Sequence, residues 1–204
     1  MLYFLIGSIG YTQTDINALL DQIQKKHIDI QSLEADFIQI TTNDAFPQPI
    51  EQSGHLFAMR PKMLRWDFQV PMVQSYYTDG TSITVWNEQN NQVLITDQMG
   101  DANQAFDLLT DFAGEREKYN IQIKSESAKE YVFSVLPKTA SNGISFEQLE
   151  VTMNKSQLWI TEFLVRSQET GMIQLKFSNI KQNSITDKGV FSFEPPAGAE
   201  IIRP

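Results

Sequence analysis

SGHLFAMRPKMLRWDFQVPMVQSYYTDGTSITVWN, residues Ser53–Asn87, decides the fold of this chain. Within it Leu64, Trp66 and Phe68 alternate with Met63, Arg65 and Asp67, and successive side chains of a strand point to opposite faces. The strand they form has one apolar face and one wet face. Pro61 and Pro71 bracket it, since proline cannot donate to a ladder, and Asp79-Gly80 marks a hairpin turn. The stretch packs aromatic strands around an arginine and holds no catalytic set. Similar strands recur along the chain, which therefore looks built to enclose apolar volume and to bind something greasy.

Upstream, Ile16, Leu19, Leu20, Ile23 and His27 follow helical spacing, with Thr14 or Asp15 as the cap. The period changes to two at SLEADFIQITT, where Leu33, Ala35 and Phe37 oppose Glu34, Asp36 and Ile38. Phe46–Pro49 breaks that run, and a second strand follows through Met59. Asn90-Asn91 turns the chain before Gln92–Thr96. Ala105, Phe106, Leu109 and Phe112 then predict a short amphipathic helix, capped by Asp101 and closed near Gly114. Strands resume at Tyr119–Ile123, Tyr131–Val135, Phe146–Met153, Leu158–Arg166 and Met172–Ile180, with a turn at Ser141-Asn142-Gly143. A last short strand is predicted at Phe191–Phe193, ahead of Pro195-Pro196. The total is about ten strands and two helices. Short connections imply an antiparallel meander, and a sheet of that size must curl or close.

Composition narrows the classes of function. The 204 residues suit one domain. Their formal charge of −9 repels a polyanion, and no Lys/Arg cluster offsets it, so nucleic acid is not expected as a partner. Cysteine is absent, which excludes disulfides, thiolate metal sites and thiol nucleophiles within these residues. The apolar run Leu2–Ile6, followed by Ser8 and Gly10 at positions suited to signal-peptidase cleavage, reads as a clipped export signal. An apolar first strand is the other reading. No later segment reaches the ~18 apolar residues that span a bilayer. Thirteen Phe and seven Met fit either a filled barrel core or a cavity for flexible apolar ligands, and composition leaves both open.

Candidate chemistry is sparse. The two histidines, His27 and His55, fall on different elements, so no HxxxH zinc pattern forms, and both read as structural groups. No GxSxG, P-loop or GxGxxG is present. Asp97, Asp101 and Asp107 read as capping or solvated residues near the central helix. Arg60 stands out, ending the apolar LFAM strand and pinned by Pro61. Its guanidinium either snorkels to solvent or reaches across the sheet mouth to a carbonyl or carboxylate on a helix above. Arg65, opposite Leu64 and Trp66, is predicted to be an exposed rung.

Five pieces in order, SLEADFIQ, GHLFAMRPKMLRW, TDGTSITVWN, PKTASNG (137–143) and FSFEPPAGAEII, resemble the periplasmic outer-membrane lipoprotein carrier family, LolA, over about 32–202. Two features depart from the family: a complete signal sequence is missing, and Asn-Glu follows Trp86 where proline and aromatics are often found. The resemblance implies a mainly β fold with some α, an incomplete, half-open antiparallel β-barrel with a helical lid over a hydrophobic cavity. It implies a periplasmic monomer, not an enzyme and without cofactor or metal. Its ligands would be the acyl chains of lipoproteins, received from an inner-membrane transporter complex and delivered to an outer-membrane receptor. Residues 1–10 would be a truncated signal segment and 11–204 the single carrier domain. By the same carry-over Arg60 is the lid gate. Phe37, Leu56, Leu64, Trp66, Phe68, Phe106 and Leu109 are the candidate acyl-chain residues. Two other functions compete: a glycolipid carrier or envelope sensor of the same architecture, and an envelope hydrolase with a site in the barrel mouth. Against the hydrolase stands the lack of a His-anchored nucleophile pair.

Overall fold

A computed structural model describes residues 14–45, 47–97, 107–139, 146–167 and 171–203. Its strands are β1 (Ser32–Thr42), β2 (Ile50–Met59), β3 (Met63–Val70), β4 (Gln74–Thr78), β5 (Ile83–Asn87), β6 (Gln92–Thr96), β7 (Tyr119–Glu126), β8 (Glu130–Pro137), β9 (Gln148–Asn154), β10 (Trp159–Ser167), β11 (Gly171–Gln182) and β12 (Glu200–Ile202). Helix α1 spans Ile16–His27, and a second helical segment, α2, covers 107–111 among the described residues. The predicted cap Asp101, Ala105 and Phe106, and the turn at 141–143, lie outside the described residues, as do residues 1–10.

All twelve strands belong to one sheet, ordered β12-β6-β5-β4-β3-β2-β1-β11-β10-β9-β8-β7. Two antiparallel meanders, β1–β6 and β7–β11, join where β1 pairs with β11. The chain therefore does not meander throughout: it jumps from one edge region to the other between β6 and β7. The sheet curls without closing, leaving β12 and β7 as its edges. Register shifts at Glu34/Asp36, Ser53/Gly54, Ile123/Ser125 and Ile160/Glu162 supply the bends, since a bulge kinks its strand and adds twist.

One face of the curl is apolar. Leu33, Ala35 and Phe37 of β1, Leu56 and Ala58 of β2 and Leu64 of β3 are buried there with Phe133, Val151, Ile160 and Phe163 from the other half. The two helical segments lie on this face. Asp15 caps α1 by accepting from the Asn17 N–H at 2.9 Å, and Leu19, Leu20 and Ile23 are the stripe it buries. From α2 and the turn after it come Leu108, Leu109 and Phe112, with the Phe112 ring 5.2 Å from Phe133.

Three expectations need correction on the opposite, convex face and at the C-terminal end. Phe191–Phe193 is not a strand: Lys188–Phe191 forms a 3-10 turn. Phe193 beyond it seats its ring 5.1 Å from Tyr77 and 5.7 Å from Trp86. Packing against rings on β4 and β5 holds this segment better than a backbone ladder broken by Pro195-Pro196 would. The strand that does close the C-terminal end, β12, pairs parallel with β6; three exposed residues carry no alternation by which it shows in sequence. Arg65 faces away from Trp66 but is no exposed rung. Its Nε donates to Asp67 Oδ2 at 2.8 Å and its Nη1 to the Val190 carbonyl at 3.2 Å, and its guanidinium lies 5.1 Å over Tyr77 and 5.5 Å over Phe57. The C-terminal segment covers it.

Candidate functional site: an apolar recess beneath a pinned lid

The concave face is packed solid at one end and open at the other. A recess of about 380 Å³ is lined by Gln39, Leu64, Trp66, Phe68, Tyr76, Tyr77, Thr78 and Ile83. That volume lies toward the low end of the ~300–1,000 Å³ typical of small-molecule sites. Local alternation explains the lining: register sets Trp66 opposite Tyr76 and Phe68 opposite Gln74. Phe68 and Trp66 stack in parallel at 6.1 Å, and Tyr76 meets Phe68 edge-on at 5.9 Å. Burial in this apolar setting pushes the Tyr76 phenol above its ordinary pKa. At the rim the Gln39 amide donates to Gln52 Oε1 at 3.3 Å.

Leu64, Trp66 and Phe68 thus sit where the sequence pattern puts apolar side chains, on the recess wall. Phe37 forms the floor beneath them, its ring 5.5 Å from Trp66 and 5.0 Å from Phe68. Leu56 and Leu109 lie deeper, inside the packed core. Phe106 falls outside the described residues. Tyr76 and Ile83 are recess residues that the sequence reading does not single out. The alternation of QSYYT and ITVWN is their available signal, once the concave face is known.

The packed end is held by polar contacts between lid and sheet. Arg60 Nη2 donates to the Thr110 carbonyl at 2.6 Å, tying the β2–β3 connection to α2. Of its two sequence readings, the reach to a helix carbonyl is the one the geometry takes. Asp107, Asp111 and Glu115 surround this contact in a polar cavity of about 440 Å³ with Gln31, Pro61 and Thr110. Lys62 and Lys118 lie 3.8 and 3.5 Å from Asp107. Arg116 donates to Asp21 at 2.7 Å and to Gln24 at 2.6 Å, joining the 3-10 turn Gly114–Glu117 to α1.

His27 anchors the end of α1. It is 1% exposed, its Nε2 lies 2.6 Å from the Leu158 carbonyl, and its ring is 5.0 Å from Trp159. A carbonyl only accepts, so Nε2 carries the proton and Nδ1 is a bare, buried nitrogen without a hydrogen-bond partner among the described residues. Burial lowers its pKa, outweighing the opposite influences of the Leu158 bond and Asp111; Lys26 and Arg60 push it down further. The sign follows. Below about 6.5 the unfolded chain takes up a proton that the folded chain refuses. Stability is therefore complete above that pH and declines as pH falls toward the lower folded value. Urea midpoints measured from pH 8 to 5.5 should fall on acidification, and His27→Phe should flatten the profile. An unchanged slope in the variant would assign the titration elsewhere.

His55 is an exposed partner of Asp36 on the convex face, 2.5 Å away. The Asn179 amide donates to the other Asp36 oxygen at 2.6 Å, and that bond leads the lowering of the Asp36 pKa.

Comparison with known proteins places this geometry. An outer-membrane lipoprotein carrier protein of Pseudomonas putida is 25% identical over 193 residues, covering 94% of this chain and 89% of its own length. The protein of the same name from Nitrosomonas europaea is also 25% identical, covering 100% of this chain and 98% of its own. Among solved structures, an uncharacterized conserved protein from Thermus thermophilus superposes with a TM-score of 0.61 at 10% identity, over 93% of this chain and all of that one. A putative outer membrane lipoprotein-sorting protein domain from Vibrio parahaemolyticus gives 0.52 at 10% identity, over 86% and 95%. At such identities these structures speak to the fold alone, and the fold agrees: an open, curled sheet with helices on its concave face. The family model for outer membrane lipoprotein carrier protein LolA matches residues 29–194, a span that holds β1–β11, the recess and the Arg60–Thr110 contact, and the chain belongs to the LolA family.

Proposed function

We propose that this chain is a periplasmic carrier that binds the acyl chains of lipoproteins released from the inner membrane and delivers them to an outer-membrane receptor. The observation that carries the reading is an apolar recess continuous with a core whose helical cover is pinned by one charged hydrogen bond, Arg60 to Thr110. Residues 1–10 are the remnant of the export signal in this reading, and 11–204 the carrier itself.

Energetics favour such a design. A ~16-carbon chain exposed to water costs about 12 kcal/mol at roughly 0.8 per CH₂, and three chains exceed the ~20 kcal/mol ceiling of non-covalent binding. A carrier therefore exchanges bilayer for cavity, where transfer is nearly balanced, and small polar contacts set direction. The recess of about 380 Å³ is the entry. Cargo with several chains needs α1 and α2 to lift, vacating the space that Leu19, Leu20, Leu109 and Phe112 now fill.

The test is direct. Purified protein incubated with a triacylated lipoprotein in membrane vesicles, together with the releasing transporter, should yield a soluble one-to-one complex on gel filtration. Trp66→Ala should cut complex yield by about tenfold, because the indole forms most of one recess wall and truncating a large aromatic typically costs a few kcal/mol. Absence of a complex with wild-type protein would overturn the carrier reading. Hydrolysis of the cargo's ester bonds would move it to the hydrolase alternative.

A further inference from the structure

The hairpin that follows Phe68 bears a feature the carrier reading does not use. Between β3 and β4 the chain runs Val70-Pro71-Met72-Val73, and Val70, Met72 and Val73 are 57%, 50% and 43% exposed. Apolar side chains at a hairpin apex are costly in water, and this cluster is contiguous. No charged residue lies between Asp67 and Asp79, so the whole β3–β4 hairpin is neutral. Glutamines, Gln69 and Gln74, flank the tip. Antiparallel pairing puts this apex at the end of the sheet where Phe68 and Tyr76 line the recess, two or three residues from the tip on either strand.

We infer that the 70–73 tip is a membrane-contact point that dips into the interfacial region of a neutral lipid bilayer. Shape and size select this occupant over a protein. A stable protein interface takes ~20–30 residues a side, whereas four side chains at a convex apex offer no surface for a second copy or a folded partner to cover. A soft lipid phase accommodates a narrow apolar point without complementarity, and Val, Pro and Met need no partner there. Charge selects the kind of surface. The chain carries −9 overall, and Asp44 and Glu88 lie in the connections at the same end of the sheet. Zwitterionic headgroups are tolerated by that rim and anionic ones repelled. The contact is weak and reversible, as suits a protein that must leave the surface. It places the recess mouth against the bilayer, and it stands whether or not the cargo is a lipoprotein.

The absence of cysteine gives a clean test. Met72→Cys and, in the β5–β6 turn, Asn90→Cys are each labelled with an environment-sensitive fluorophore and mixed with phosphatidylcholine vesicles. A blue shift at 72 and none at 90 is expected. In a separate vesicle-flotation assay Met72→Glu should reduce bound unlabelled protein by roughly tenfold, with its thermal midpoint unchanged since the side chain is exposed. Replacing a third of the lipid with phosphatidylglycerol should weaken binding. No shift at 72, equal shifts at both positions, or binding strengthened by the anionic lipid would each overturn the inference. Because no cargo is present, this outcome is separate from that of complex formation.

Discussion

An Arg60→Leu chain is expected to load acylated cargo and then keep it, with onward transfer slowed by ten- to a hundredfold. The guanidinium donates to the Thr110 carbonyl at 2.6 Å and holds α2 down on the β2–β3 connection. That bond exists in the closed, unloaded state and must break when the lid lifts. A hydrogen bond to a charged group is worth about 1.5–3 kcal/mol, and here it is credited entirely to the empty form. Leucine removes it and adds apolar surface beneath the lid, so the loaded form gains relative to the empty one. The check is a two-stage assay: uptake from vesicles, then transfer to a membrane-anchored receptor. Normal uptake with impaired transfer supports the gate. Normal uptake with normal transfer removes it, and the bond becomes an ordinary structural contact. Arg60→Lys sharpens the reading, since a lysine keeps the charge but loses the planar fork and its reach.

Gly54→Ala is expected to cost about 4 kcal/mol or more, most of the stability of a domain that normally has only ~5–15. A methyl group at this position would stand 1.8 Å from the Asp67 carbonyl oxygen, a backbone atom that cannot swing aside. The bulge between Ser53 and Gly54 brings the two strands that close. Glycine has a second purpose here. Register sets Gly54 between Phe37 of β1 and Phe68 of β3, and the empty slot lets those rings meet at 5.0 Å across β2. The floor of the recess is thus built over a missing side chain. Denaturant titration of Gly54→Ala beside Gly198→Ala gives the comparison. Gly198 has φ +80° but nothing within 4 Å of an added Cβ, so its variant should lose only about 1 kcal/mol from backbone strain. Equal, small losses in both would show that β2 and β3 can separate at little cost.

Much of this molecule is legible in the residues. Alternation in SLEADFIQITT and MLRWDFQV locates β1 and β3, and the Asp15 cap with the Ile16–Ile23 spacing locates α1. These signals are local: which side of a strand or helix a residue occupies is set by its neighbours two to four positions away. The RP step singles out Arg60 for the same reason, as a cation left at the end of an apolar strand. Arg65 escapes such a reading because its environment comes from Val190, 125 residues away, and the segment containing Val190 has no strand or helix pattern. Phe193 mimics a strand residue because aromatic alternation is equally served by rings packing on a sheet's outer face.

Sequence by itself determined that a curled antiparallel sheet would form, where most of its strands begin and turn, and that one face would be apolar. Only the tertiary structure decided which face is concave, where α1 and α2 lie on it, and that the space they leave is a recess beside Trp66 and Phe68 instead of a filled core. Curvature arises from bulges and from β1 pairing with a strand some 140 residues later. Lid position depends on contacts such as His27 to Leu158, separated by 131 residues. Periodicity has no reach over such distances; packing does.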